Sequence, residues 1–352
     1  MSEAKRRLLV GYKAADLRPD LLDGDVTVHE LDIYHAHAVE KTHPGAKVVC
    51  TPHLPEGPWD EILFRTGPKL MSGELSLDLL QEIARLAGGD LRAPQFQLDF
   101  VGRERDRNDL LAKVKDDPKR VRNFSSVWPA SVPGGPKLMF TSFPGCFCHR
   151  RLDEGGLALA EVVAHELTAR GRETEDGRQG ADDSRQPELR LLDMGCGCGL
   201  VGLLVGSVVK GLKLTLIDSH TRAVEAAELN AKAFGADACV VLADDGLDSV
   251  QSPDSQLSNC QLTNSQSNKF SIEQSNNSSF DVFVGNPPYY SDYRIADVFL
   301  QTAKKALRTG GVCYTVVKND AGLKPVQERY FPSVAVIRRR GYCVLKSVKG
   351  CE

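Results

Sequence analysis

Asn286, Pro287, Pro288 and Tyr289 stand in a row at the end of an apolar run, Phe280 to Val284. The run reads as a buried strand, and proline, having no N–H to give the ladder, cannot continue a central strand. The chain must turn there, at a strand's carboxyl end, which in open α/β sheets is where ligands bind. The amide oxygen of Asn286 and the carbonyl of Pro287 can accept both hydrogens of an exocyclic amine while Tyr289 stacks on the ring. Two fixed proline backbones complete a grip suited to a flat, amine-bearing group. No acid or base is built into it.

Upstream, Leu189 to Gly206 reads as a buried strand, a glycine-rich turn and a helix, with Asp193, Gly195, Gly197 and Gly199 in the pattern D-x-G-x-G-x-G. Such a turn lets the backbone come close to a ligand, and by itself it also fits a nicotinamide dinucleotide with its pyrophosphate at the helix N-terminus. Asp193 argues for another ligand, because its charge repels phosphate and attracts a cationic, amino-acid-bearing cofactor. The next strand, LKLTLIDSH, ends in Asp218 about 20 residues on, positioned for ribose hydroxyls. A third, ACVVLADDGL, ends at Asp244 and Asp245, one of which can meet an adenine amine.

These residues need a sheet to hold them. In the first half, Arg7 to Val10, Val26 to Leu31, Lys47 to Cys50, Glu61 to Phe64 and Phe96 to Val101 read as strands, with an amphipathic helix at Leu75 to Leu86. Strands alternating with helices predict an α/β domain. WDEILF at Trp59 to Phe64 and the thirty or so residues after it parallel FDVFVG at Phe280 and its sequel, as a duplicated unit requires. The first copy has Arg65-Thr66-Gly67-Pro68 where the second has Asn286-Pro287-Pro288-Tyr289, and no glycine-rich turn, so it reads as a degenerate copy. The charged stretch Arg103 to Arg122 follows. Pro129 to Pro136, PASVPGGP, marks the domain boundary. The expected layout is a first domain over 1–128, a linker over 129–139 and a second domain over 140–352.

In the second domain, Leu152-Asp153-Glu154-Gly155 precedes a helix, with Asp153 as its N-cap; the polar stretch from Gly171 to Glu188 reads as a loop. A Ser, Asn and Gln-rich insertion over 249–279 cannot build a core. Ala296 to Leu307 reads as a helix, Gly310-Gly311 as a turn, Val312 to Val317 as a fifth strand, and Pro332 to Ile337 with Tyr342 to Val348 as a closing pair joined by Arg338-Arg339-Arg340-Gly341. The arginine run is either a solvated turn or a phosphate contact.

Composition excludes little. At 352 residues, 41% hydrophobic and 26% charged, the chain is of ordinary globular make-up, and its net charge of −3 does not mark a nucleic-acid binder. There is no apolar run of membrane-spanning length and MSEAKRRLLVGYK is too short in apolar residues for a signal peptide, so a cytoplasmic protein is expected, with no membrane partner. The ten cysteines are scattered, and the close pairs are C-x-C, not a zinc spacing, so reduced, mostly buried thiols and no metal are expected. His35 and His37, an H-x-H in an expected loop, do not change that.

The four strand-end motifs, in order, resemble those of class I S-adenosylmethionine-dependent methyltransferases that modify planar amines. More specifically, the chain resembles the tandem-domain ribosomal RNA small-subunit guanine-N2 methyltransferases of the RsmC type. FPGCFCHRRLDEGG looks like that family's P-G-x-F-S-x-x-x-L-D-x-G entry motif, with Cys148 in place of serine, and Tyr289 replaces a commoner phenylalanine. The resemblance implies two Rossmann-like domains, the first degenerate and helping to hold RNA, the second a seven-stranded, mostly parallel sheet with helices on both faces. It implies S-adenosylmethionine bound by Asp153, Gly155, Asp193, Gly195, Gly197, Gly199, Asp218, Asp244 and Asn286, and catalysis by Asn286, Pro287, Pro288 and Tyr289. It further implies transfer of methyl to the N2 amine of a guanine in ribosomal RNA, by a monomer working on RNA or a ribosomal subunit. Two rivals stay open: release-factor glutamine methyltransferases share N-P-P-Y but predict an all-helical first domain, and an RNA-binding assembly scaffold would keep the fold without turnover.

Overall fold

The computed structural model describes residues 5–88, 91, 94–114, 122–176, 188–243, 280–288 and 292–351, with side chains left out for 171–176. Tyr289, Asp244, Asp245 and the insertion over 249–279 lie outside the described residues.

The first half is a five-stranded parallel sheet in the order β3-β2-β1-β4-β5, built from β1 (Arg6–Val10), β2 (Asp25–Glu30), β3 (Lys47–Cys50), β4 (Glu61–Thr66) and β5 (Phe96–Phe100). Helices α1 (Ile33–Thr42), α2 (Gly73–Leu86) and α3 (Glu104–Leu111) belong to it. Ser72 caps α2 by accepting from the Leu75 N–H, and Leu75, Leu79 and Ile83 bury the stripe that the spacing predicts. This strand-rich half is the opposite of the all-helical domain that the release-factor reading requires.

The second half is a seven-stranded sheet in the order β10-β9-β8-β11-β12-β14-β13. Its strands are β8 (Arg190–Met194), β9 (Lys213–Asp218), β10 (Ala238–Leu242), β11 (Phe280–Gly285), β12 (Leu307–Val317), β13 (Ala335–Arg339) and β14 (Tyr342–Val348). The first five positions run in parallel, and β14 and β13 close the edge antiparallel. Helices α4 (Glu154–Asp176), α5 (Leu200–Gly206) and α6 (Thr221–Phe234) pack with one core cluster, α7 (Arg294–Ala306) and α8 (Asp320–Glu328) with the other. Along β11, Val282 and Val284 enter one cluster and Phe283 the other, so this apolar run is buried on both faces.

Both sheets share one order, 3-2-1-4-5, and the ladder register shows which residues correspond. Val10 pairs with His29 and Phe64, as Met194 pairs with Ile217 and Gly285. Counting on from these, Glu30 corresponds to Asp218 and Arg65 to Asn286. One hydrogen bond is repeated too: the Arg6 N–H donates to Asp60 at 2.8 Å and the Arg190 N–H to Asp281 at 2.7 Å. Asp60 and Asp281 are the two aspartates that the internal sequence comparison aligns.

Several expectations are corrected. Pro129, Ala130, Leu138 and Met139, read as linker, lie in an antiparallel pair of strands, β6 (Ser126–Ala130) and β7 (Leu138–Ser142). The proline and glycine cluster is their turn. Trp128 stacks on Phe140 there, which in turn packs edge-on against Phe234 of α6. Helix α4 continues through Gly171 to Asp176, because a helix nucleated on a core face extends through Arg and Glu at little cost and carries single Gly and Thr residues with them. Gly310 and Gly311 lie within β12, where each bonds to Lys349 and the pairing with β11 shifts register. His35 and His37 lie on α1, where i and i+2 point to different sides. Among the described residues no group of three or more His, Cys, Asp or Glu side chains could hold a metal ion, and no helix is long and apolar enough to cross a membrane.

The two halves meet through charge, part of it buried. Arg222, 2% exposed, bonds Asp78 and Glu82 of α2 and the Pro52 and Pro144 carbonyls. His53 lies between Glu82 and Glu225, whose hydrogen bonds push its pKa up to about 10.

Candidate active site

The glycine turn follows directly from the end of β8. Gly195 has φ +67°, and a Cβ there would come within 2.7 Å of the Phe299 ring on α7. Gly197, at φ +57°, is different: among the described residues a Cβ would meet nothing within 4 Å. Gly199 is the left-handed N-cap of α5.

Two carboxylates sit beneath this turn. Asp193 is 2% exposed and accepts from the Gly202 N–H at 2.8 Å; burial pushes its pKa up to about 7. Its carboxylate is therefore tied to the first turn of α5, and it contributes to a ligand through the shape and field of the turn rather than as an exposed charge. Asp218, partly exposed at the end of β9, accepts from the Gly197 N–H at 2.8 Å and the His220 N–H at 2.9 Å. Burial raises it to about 6, against those donors. The Gly197 N–H that would greet a pyrophosphate is thus already held by a carboxylate. The arrangement disfavours a dinucleotide and fits a cationic ligand with ribose hydroxyls to offer.

At the mouth of the sheet, Asp153 joins the start of α4 to the end of β11. Sitting just before α4, it accepts from the Gly155 N–H at 3.0 Å through one oxygen and from Asn286 Nδ2 at 2.7 Å through the other. Burial raises the carboxyl, while the Gly156, Asn286 and Gly155 donors hold it down. An ionised carboxylate can only accept, so Asn286 must turn its NH2 to Asp153 and present Oδ1 on its other side as an acceptor. Pro287 is buried directly behind it and Pro288 follows, half-buried.

Sequence reasoning anticipated Asp153 as a cap but not its bond to Asn286, since no local pattern links residues so far apart. It also missed Tyr342 and Lys318. The Tyr342 ring stands 3.2 Å from where a Gly155 Cβ would be, and Lys318 Nζ lies 4.1 Å from the centre of that ring. The arginine run proves to be a clamp: Arg339 and Arg340 both bond the buried Glu161, and Arg340 reaches Glu154 at 3.0 Å. Cys146, Cys196 and Cys198 are free and buried around the turn, and burial raises all three thiols, that of Cys146 to about 12.

Residues 137–275 and 237–346 match the methyltransferase small domain family, together most of the second half and more than half of the chain. The chain belongs to the methyltransferase small domain family. Among its relatives, "Ribosomal RNA small subunit methyltransferase C" of Pseudomonas paraeruginosa is 27% identical, covering 89% of this chain and 89% of its own length. The protein of the same name from Shewanella loihica is 24% identical over 95% of this chain and 91% of its own. In fold, this methyltransferase small domain protein matches the Thermus thermophilus 16S rRNA N2 G1207 methyltransferase (RsmC), solved with AdoMet and guanosine, at a TM-score of 0.67. That likeness covers 98% of this chain and 88% of the other at 18% identity, and it extends over both sheets, as the RsmC-type resemblance implies.

Proposed function

We propose that the chain is an S-adenosylmethionine-dependent methyltransferase that methylates the exocyclic N2 amine of a guanine in ribosomal RNA. The observation that carries the reading is the Asn286 amide at the mouth of the sheet, held by Asp153 so that its oxygen is left to accept. The names borne by relatives that align along nearly the whole chain supply the substrate class.

When bound, S-adenosylmethionine supplies an activated methyl group on a sulfonium. The residues that would hold it are Asp218 at the ribose, Gly195, Gly197 and Gly199 at the turn, and Asp153, Gly155, Asp193, Asp244 and Asn286 around them. Asn286 Oδ1 and the Pro287 carbonyl accept the two amine hydrogens and turn the nitrogen lone pair, otherwise conjugated into the ring, toward the methyl carbon. Pro288 fixes the turn and Tyr289 stacks on the base. Methyl transfer from the bound sulfonium to this nitrogen would leave S-adenosylhomocysteine, and the extra amine proton would then pass to solvent. No general base is needed, and the rate comes from alignment. A guanine in folded RNA must be flipped out first, at a cost of a few kcal/mol. This reading has the chain act in the cytoplasm as a monomer of two domains, with the β6–β7 pair packed on the second of them.

The test is transfer of labelled methyl to small-subunit particles, large-subunit particles, naked ribosomal RNA and release factors in parallel. Label in a small-subunit RNA guanine, lost in Asn286→Ala, is the expected result. Label in release factor would overturn the reading, and a chain that bound no S-adenosylmethionine would leave the scaffold in its place.

A further inference from the structure

The segment that follows Asp218 is held by the first half, and by the counterpart of itself. Asp32 and His220 form an antiparallel bridge. The Ile33 N–H donates to the Ser219 carbonyl at 2.8 Å, and the Thr221 N–H donates to the Leu31 carbonyl at 2.7 Å. By the register of the two sheets, Leu31, Asp32 and Ile33 correspond to Ser219, His220 and Thr221. Each half thus gives the other the same pair of bonds, as across a two-fold axis. The caps match as well: Asp32 accepts from the Tyr34 N–H at the start of α1, and His220 from the Arg222 N–H at the start of α6. Burial keeps the His220 pKa down to about 4, so the ring is neutral and able to accept. Two side-chain bonds reinforce the bridge, Ser219 Oγ to Asp32 at 3.1 Å and Thr221 Oγ1 to the Leu31 carbonyl at 3.0 Å.

The held segment is also the one that aims Asp218. One oxygen of that carboxylate accepts from the His220 N–H, inside the bridge, and the other from the Gly197 N–H of the glycine turn. We infer that Leu31, Asp32 and Ile33 are positioning residues of the cofactor site, through which the first half fixes the carboxylate that receives the ribose hydroxyls. The first half has not merely lost a site; the end of its own second strand has become a wall of its neighbour's. This rests on the reading of the second half as an S-adenosylmethionine site.

Ile33 offers a clean test in the full chain. It is the first residue of α1, where proline is tolerated, and Asp32 before it, at φ −121° and ψ 124°, already has the conformation that precedes proline. Ile33→Pro puts a ring methylene where the N–H met the Ser219 carbonyl. Ile33→Ala, which keeps the N–H, controls for the lost side chain, and Leu80→Ala in the core of the first half controls for stability alone. Measured by calorimetry with S-adenosylhomocysteine, Ile33→Pro is expected to weaken binding about tenfold relative to Ile33→Ala. The difference should vanish for an analogue lacking both ribose hydroxyls, which a general loss of stability would not produce. Equal binding by the two Ile33 variants, or the same loss in Leu80→Ala, would overturn the inference. Should Ile33→Pro not fold, Thr221→Val decides: it removes only the Oγ1 bond to Leu31 and is expected to weaken binding about threefold, an unchanged value being the contrary result. A wild-type chain that bound no S-adenosylhomocysteine would instead sink the cofactor reading, and this inference with it.

Discussion

The two sheets have the same strand order, and their carboxyl ends have become opposites. In the second half the positions at the mouth are Gly197, Asp218 and Asn286, with no described residue within 4 Å of a Gly197 Cβ and with the Asn286 amide held by Asp153. In the first half the corresponding positions are Lys13, Glu30 and Arg65. Lys13 Nζ bonds the buried Glu30 at 2.8 Å, and Arg65 bonds Asp99 and Asp16 beside the Tyr12 ring. Burial and the Asp99 charge push the Tyr12 hydroxyl up to about 12. The first sheet has thus supplied its own cation, in the place where the second leaves room for a ligand's. Two short turns of 3-10 helix, Ala14–Asp16 and Pro19–Leu21, stand between β1 and β2 where the second half has α5. A frame held by burial survives such changes, because the residues that build the strands and those that line the mouth are different sets.

The contrast can be tested by exchanging its parts. Asn286→Ala should cut turnover by about two to three orders of magnitude, the scale seen when one aligned polar group is removed from an active site, and weaken cofactor binding by much less than that; a loss confined to affinity would make Asn286 a binding residue alone. Gly197→Lys, which imports the first half's lysine, should weaken cofactor binding about 100-fold, from left-handed strain plus a competing cation. Calorimetry with Gly197→Ala beside it separates the two causes. Acidity acts on the same acceptor: raised to about 6 in the fold, Asp218 is ionised above that pH and protonated below it. Affinity should therefore fall about tenfold per pH unit below 6, and Asp218→Asn should flatten that dependence. The smallest effect belongs to the first half. Lys13→Ala strands Glu30, whose pKa burial already raises, and should cost about 1–2 kcal/mol in urea unfolding at neutral pH. The loss should shrink as acid protonates Glu30, and cofactor affinity should not change.

Much of this was legible because parallel strands buried on both faces are short apolar runs, and their ends are marked by residues unsuited to strands. Glu61 to Phe64 and Phe280 to Val284 announce themselves this way, and so do Asp218 and Asn286 at the mouth. Helices whose pattern is interrupted were harder. Asp320–Glu328 contains Pro325 and begins on the Asn319 cap, so it passes for a connection, and α1 hides behind two histidines. Glycine is ambiguous, marking a turn at 134–135 inside a hairpin and a shift of register at Gly310. Least legible are partnerships between distant residues. Nothing local says that Arg222 will be buried against Asp78, that Arg339 will seek Glu161, or that Leu31 will hold Thr221, since each is decided only when the halves and layers come together.

The bond between Asp153 and Asn286 also governs where this chain can vary. It joins residues 133 positions apart, and β11 is seated between β8 and β12 by its own ladder. The position and aim of Asn286 are therefore set from both flanks, by the ladders of β11 with β8 and β12 and by the carboxylate at the start of α4. Substitutions that spare those ladders and Asp153 leave the amide in register.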